Sequence, residues 1–365
     1  MDKTLAPQQV FALLFLMLIS NAMTVSQSLG RDGWLSLAFA LLWTLPVYAL
    51  LLKTNALGRQ KDWFDRMTDL LGAVGGGILF FFLAALAGLL AIFSLRNFLL
   101  LTRALALPQT SPFLLGAIVI LCALPFAVRG ILQTGRWAAP VFWLVLVFLL
   151  VSLVMTIPDW QPEHLYPLLV HGWRAPFGNS FPLALTIGTE GLFLLAMIDN
   201  RKNPYAPSAR RALGISYLLL ICVFLRNLFL LGFALSSRLL NPSYTAAGLI
   251  SLGSFFQRGE VLVTIPFVLC DLLKLAVLLM FAKNSILAVF PHLSDCKLTV
   301  ALGGVVLAAG CVLAQENLAL TIPQQTVRLL AVLLFVCFSL GFWGKFRIKN
   351  GKPAKANQKP KEDSL

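Results

Sequence analysis

Charge is scarce in this chain: 12% of its 365 residues are Asp, Glu, Lys or Arg, against 59% hydrophobic. A water-soluble domain carries roughly 25% charged residues because its surface must face water. That class is excluded, and a mean hydropathy of +0.84 assigns the surface to lipid. Histidine is scarcer still, and His164, His171 and His292 are too scattered for a metal site. Cys122, Cys222, Cys270, Cys296, Cys311 and Cys337 fall inside or at the ends of apolar runs and form no Cys-x-x-Cys pair. They read as packed or lipid-facing free thiols. There is no His-Glu-x-x-His, Gly-x-Ser-x-Gly, phosphate-binding loop or dinucleotide fingerprint, so nothing points to catalysis, a cofactor or a metal. Acidic residues are also short, 15 against 29 Lys and Arg. That excess does not mark a nucleic-acid partner, because the basic residues sit in short loops and one tail with no soluble domain to present them.

What the chain has is long apolar runs. About 20 apolar residues, wound as a helix, cross the hydrocarbon core. Ten such spans lie near 8–29, 33–52, 72–95, 112–128, 137–157, 181–198, 212–236, 260–282, 298–315 and 328–344. Barrel strands would be about ten residues long and alternate in polarity; nothing here alternates. The expected fold class is therefore an all-α integral membrane protein. Residues 1–344 form one transmembrane domain, and 345–365 a basic cytoplasmic tail, disordered and close to anionic lipid headgroups. The first span reads as retained, because only Lys3 precedes it as a basic residue and Gly30-Arg31-Asp32 replaces a small-residue cleavage site. Cytoplasmic termini place 20 Lys and Arg inside and 7 outside, Arg328 among the outer ones.

Ten spans divide into five plus five. Transporters built as inverted repeats bind substrate where the first helix of each half is broken. Both places carry helix-weakening residues: Ser20-Asn21-Ala22-Met23-Thr24 in the first span, and Thr186-Ile187-Gly188-Thr189-Glu190-Gly191 in the sixth. Broken first and sixth helices are thus expected, with Asn21, Thr24, Gly188, Thr189, Glu190 and Gly191 as ligand-binding residues. Free amides at Gly188–Gly191 would meet a ligand carboxylate, and Glu190 would meet its ammonium or pair with Lys274. Small residues also favour close helix packing, and that alternative stays open. In the third span, Gly72, Gly76, Ala84 and Gly88 read as a packing face.

Other intramembrane charges are Arg226, whose partner the sequence does not reveal, and Asp271 and Lys274 in the eighth span. The latter two share a helix face and are candidates for ion coupling or for pairing with each other. Residues 53–69 include an amphipathic stretch expected on the inner surface, and 159–180 an outer loop at the interface. Asp32 is placed to cap the second span and Trp34 to anchor it.

Several of these segments also resemble a family. Gly30-Arg31-Asp32-Gly33-Trp34 is similar to a Gly-x-Asp-x-Trp signature after the first span. Leu107-Pro108-Gln109-Thr110-Ser111-Pro112 resembles Leu-Pro-x-Thr-Pro with Ser111 intervening, and Gly130-Ile131 with Arg136 a Gly-Ile…Arg element. Gln257-Arg258-Gly259-Glu260 is similar to Glu-Arg-x-Glu with Gln257 in place of the first Glu. Together they resemble the B subunit of spore germinant receptors, a branch of the amino acid–polyamine–organocation transporters. The resemblance runs from about Pro7 to Trp343 and departs where Ser20-Asn21-Ala22 stands for the usual glycine. It implies a ten-helix broken-helix fold, a small-molecule nutrient such as an amino acid, an A subunit and a C lipoprotein subunit as partners, and the spore inner membrane. A ligand-sensing subunit, a proton- or sodium-coupled amino acid transporter and a ligand-free scaffold all fit the sequence.

Overall fold

The computed structural model describes residues 5–23, 29–57, 63–105, 107–170, 172–198, 205–239, 241–249, 259–315 and 321–350. In hydrocarbon every backbone polar group must be satisfied within the chain, which leaves helices as the solution for runs of this length. The helices are α1 (Pro7–Ile19), α2 (Gly33–Leu57), α3 (Trp63–Leu105), α4 (Pro112–Arg129), α5 (Ile131–Met155) and α6 (Arg174–Met197). They continue with α7 (Ala206–Ser236), the short α8 (Pro242–Gly248), α9 (Val261–Val289), α10 (Asp295–Gln315) and α11 (Thr321–Asn350). Among the described residues nine are long and apolar enough to cross a membrane, and Pro7–Ala22 is a shorter apolar helix. The protein is an all-helical integral membrane protein.

The five-plus-five repeat is visible in the packing. With α1–α5 matched in order to α6, α7, α9, α10 and α11, the principal contacts have counterparts. α1 packs on α7 as α6 packs on α2; α1 on α5 as α6 on α11; α4 on α9 as α10 on α3; α5 on α9 as α11 on α3. α3 and α9, equivalent helices, pack on each other at the centre. α1 is innermost, with every residue from Ala12 to Ile19 buried, as expected of a helix apolar all round.

The two halves differ at their first helices. α1 stops at Ile19 and continues as a 3-10 turn, Ser20–Met23. Thirteen helical residues rise about 20 Å, so the helix ends inside the hydrocarbon core. The expected break in the sixth span is absent: α6 runs unbroken from Arg174 to Met197, through all of Gly188–Gly191. The glycines there make room for α2. A Cβ on Gly188 would stand 2.8 Å from Thr44 Cγ2, and one on Gly191 would collide with the Tyr48 hydroxyl. Tyr48 Oη donates to the Gly188 carbonyl at 2.7 Å. The close-packing alternative therefore holds in α6.

Two further glycines act as hinges. Gly72 has φ 79° and bends α3, a conformation that glycine adopts without a Cβ clash. The amphipathic stretch after residue 62 is thereby folded back onto the bundle, with Trp63 and Met67 buried. Gly72 is a bend and not part of a packing face, since a Cβ on it meets nothing within 4 Å. Gly232 has φ 69° and bends α7. The bend leaves the Phe229 carbonyl to the segment between α5 and α6, where it accepts from Gln161 N–H at 3.2 Å and His164 Nδ1 at 2.9 Å. At the far end α11 stays helical to Asn350, past the expected start of the tail, and Lys345 Nζ donates to the Asp69 carbonyl at 2.8 Å.

Candidate functional site

The α1 break brings Ser20, Asn21 and Ala22 to the middle of the bundle. Ser20 Oγ donates to the Met17 carbonyl at 2.8 Å, replacing a helix bond lost at the turn. Asn21 Nδ2 reaches Glu190 Oε2 at 3.4 Å. Thr24 lies outside the described residues. Glu190, 2% exposed, also faces Arg328 of α11: its Oε1 is 3.4 Å from Nη2. Arg328 Nη1 and Gln325 Nε2 both donate to Thr186 Oγ1, at 3.3 and 2.8 Å. Both contacts of Glu190 are long beside the ~2.7–2.9 Å of a tight charge-assisted hydrogen bond, so its carboxylate is loosely held.

Arg328, expected on the outer side, is 6% exposed within the span Pro323–Lys345. The short tenth run of only 17 residues was the available signal. About 20 are needed, so the helix had to extend backwards past residue 328. Glu190 is paired with Arg328 and not with Lys274. Lys274 Nζ instead meets Asp271 Oδ1 at 2.8 Å on the same face of α9, both buried. Glu190 and Arg328 are still near enough for their charges to act on Lys274.

Thr189 Oγ1 donates to the Leu185 carbonyl at 2.7 Å and so serves its own helix. Gly188 and Gly191 face α2, and their amides belong to the helix interior. These three residues do not open onto the α1 break as free donors. One turn along α6, Phe193 packs on Phe281 and Phe335 at 4.8 and 5.2 Å, and Trp63 covers Phe335 at 5.7 Å. This aromatic plug packs α3, α6, α9 and α11 together one turn beyond Glu190. A cavity of about 20 Å³, large enough for one water, lies at the break against α5 and α9. Arg226 of α7 lies on the other side of the break, among neutral groups. Among the described residues no three His, Cys, Asp or Glu gather as metal ligands.

Asp32 does not cap α2 with its side chain. Its Oδ1 accepts from Leu169 N–H at 3.1 Å, while Arg31 Nη1 donates to the Tyr166 carbonyl at 2.6 Å. The motif after the first span thus ties down the segment between α5 and α6. Trp34 is partly buried, with its ring packed against the core.

The family profile described as spore germination protein matches residues 4–319. The chain belongs to the spore germination protein family. This family is of permease type, not enzymatic in kind. No curated protein matches the sequence. Among solved structures, the chain is similar to the Eremococcus coleocola manganese transporter in complex with an aromatic bis-isothiourea substituted compound. The TM-score is 0.46 at 16% identity, covering 93% of this chain and 72% of that one. Two mutants of that transporter give TM-scores of 0.46 and 0.44 at the same identity and coverage.

Proposed function

We propose that this spore germination permease is the nutrient-sensing membrane subunit of a germinant receptor, binding an amino-acid-like ligand at the α1 break between α6 and α9. The observation that carries the reading is the unwinding of α1 at Ser20–Met23 in mid-bundle, faced by the loosely held Glu190 carboxylate. Unwound backbone at that depth is tolerated only where it lines a cavity or is buried in protein. Asn21 and Glu190 are the contacts for the ligand ammonium. Thr24 belongs to the same segment, and Thr189 and the α6 glycines serve to hold α6 against α2. The A subunit and C lipoprotein are its partners, the spore inner membrane its site, and both termini are cytoplasmic. Residues 1–344 carry the function, and 345–365 are an accessory tail.

A second reading is a proton- or sodium-coupled amino acid transporter. It is favoured by the buried Asp271–Lys274 pair, whose charges lie within reach of Glu190. The test is equilibrium binding of the twenty common amino acids to the purified protein in nanodiscs, beside uptake of the same compounds into proteoliposomes. Saturable binding without uptake is expected. Uptake against a gradient would establish the transporter instead, and no binding, alone or with the A and C subunits, would remove the pocket.

A further inference from the structure

Arg226 is 1% exposed in the second half of α7. Nη1 donates to Ser152 Oγ at 2.6 Å. Nε and Nη2 donate to Asn227 Oδ1 at 3.2 and 2.8 Å, and Nη2 also to the Ser243 carbonyl at 3.3 Å. All of these acceptors are neutral. Lys274, Lys283 and Arg328 each have a carboxylate, at 2.8, 2.8 and 3.4 Å, whereas no carboxylate among the described residues pairs with Arg226. Neutral hydrogen bonds satisfy the N–H groups but leave the charge uncompensated, and a guanidinium does not shed its proton. Buried charges within membranes are ordinarily paired.

A second group in the same corner also lacks its complement. Asn241, 1% exposed, uses Oδ1 to accept from Tyr244 N–H at 3.2 Å, while its Nδ2 has no acceptor. The corner connects directly to the α1 break. Asn227 Nδ2 donates to Ser243 Oγ at 2.8 Å, and Ser243 Oγ lies 3.5 Å from the Ala22 carbonyl. The cavity at the break is lined by Ser20, Ala22 and by Leu149, three residues before Ser152 on α5. Val263, Pro266 and Phe267 of α9 close it with apolar surface.

We propose that Arg226, with Asn241, holds the carboxylate of a small monocarboxylate ligand, whose aliphatic body lies against the apolar wall of α5 and α9. The proposal rests on the pocket reading above and moves the carboxylate from the α6 glycines to α7. One buried cation matches one negative charge, and the carboxylate would replace the neutral Asn227 Oδ1 that now accepts from both Nε and Nη2, so that this planar edge of the guanidinium takes a charged acceptor in place of a neutral one. With Glu190 approaching Asn21 and Arg226 linked to Ala22, the α1 break lies between a site for ammonium and a site for carboxylate. The cavity, about 20 Å³, admits one water, so binding requires the 3-10 turn or α9 to yield.

The test uses the full chain in nanodiscs, with thermal unfolding followed against sodium acetate and sodium propionate. Acetamide, propionamide and sodium chloride serve as controls at matched concentration and ionic strength. The two carboxylates should raise the unfolding temperature saturably, and the controls should not. Arg226→Gln should weaken the half-saturating acetate concentration ~10–100-fold, the range of a lost charged hydrogen bond. If Arg226→Gln fails to fold, Ser152→Asp supplies a carboxylate beside Nη1 and should fold yet ignore acetate. The absence of a saturable carboxylate effect in the natural protein overturns the proposal, as does an equal effect of chloride or an unchanged acetate response in Ser152→Asp. Amino-acid binding that is unaffected by Ser152→Asp leaves the pocket standing and removes Arg226 from it. An acetate response without any amino-acid binding does the reverse.

Discussion

Glu190 of α6 and Arg328 of α11 meet at 3.4 Å, with side chains 2% and 7% exposed. The pair joins the two helices at the level of the α1 break, through Asn21 on one side and Thr186 on the other. Removing one member of a buried pair strands the other charge, at about 3–5 kcal/mol, whereas removing both is far milder. Glu190→Gln and Arg328→Gln should each lower the unfolding temperature, and the double variant should recover most of the loss. If Glu190 receives the ligand ammonium, the double variant regains stability but not amino-acid binding. A double variant as unstable as the sum of the singles would show that the two charges do not depend on each other.

Gly191 and Tyr48 test the α2–α6 contact. A Cβ on Gly191 would run into the Tyr48 hydroxyl, and overpacking of this kind costs about 1–3 kcal/mol. Gly191→Ala should lower the unfolding temperature, and adding Tyr48→Phe should restore part of it by removing the oxygen. The restoration is partial because the Tyr48 bond to the Gly188 carbonyl, 2.7 Å, is lost too. If Gly191→Ala leaves stability intact but changes ligand affinity, Gly191 belongs to the pocket after all.

The spans were legible because hydrocarbon demands long apolar helices, and little else produces runs such as 72–95. The repeat was legible in their number. The α1 break was legible because Ser20-Asn21 interrupts an otherwise apolar run. The α6 glycines misled, since unwinding and close packing ask for the same small residues; only the facing Thr44 and Tyr48 decide between them. Arg328 was hidden by a span drawn too short. The surroundings of Arg226 come from α5, α7 and α8, and no spacing along the chain encodes that meeting.

Asp32 tests the segment between α5 and α6. Leu169 holds φ 52°, a left-handed conformation that costs a non-glycine residue roughly 1–2 kcal/mol, and its N–H donates to Asp32 Oδ1. Asp32→Ala should free this segment, seen as faster proteolysis within residues 160–170, with amino-acid affinity little changed. Replacing Leu169 by Gly as well should restore part of the protection by removing the strain. Normal protease resistance in Asp32→Ala would show that other contacts, such as Arg31 to Tyr166, suffice.

The burial of Arg328 bears on the orientation of the chain in the membrane. The asymmetry of basic residues predicts cytoplasmic termini, and moving Arg328 from the outer side into the bundle makes the asymmetry larger. Cys296, exposed at the first turn of α10, is then a natural reporter of the inner side. Cys122 and Cys337 are also exposed, but midway along α4 and α11, where the hydrocarbon core keeps a water-soluble maleimide away. Gly172, exposed between α5 and α6, is the matching outer position. In sealed cells a membrane-impermeant maleimide should label Gly172→Cys and leave the natural protein unlabelled. After permeabilisation Cys296 should label in both. Labelling of Cys296 in sealed cells, with Gly172→Cys protected, would invert the topology and place the aromatic plug of Phe193, Phe281 and Phe335 on the outer side of the α1 break.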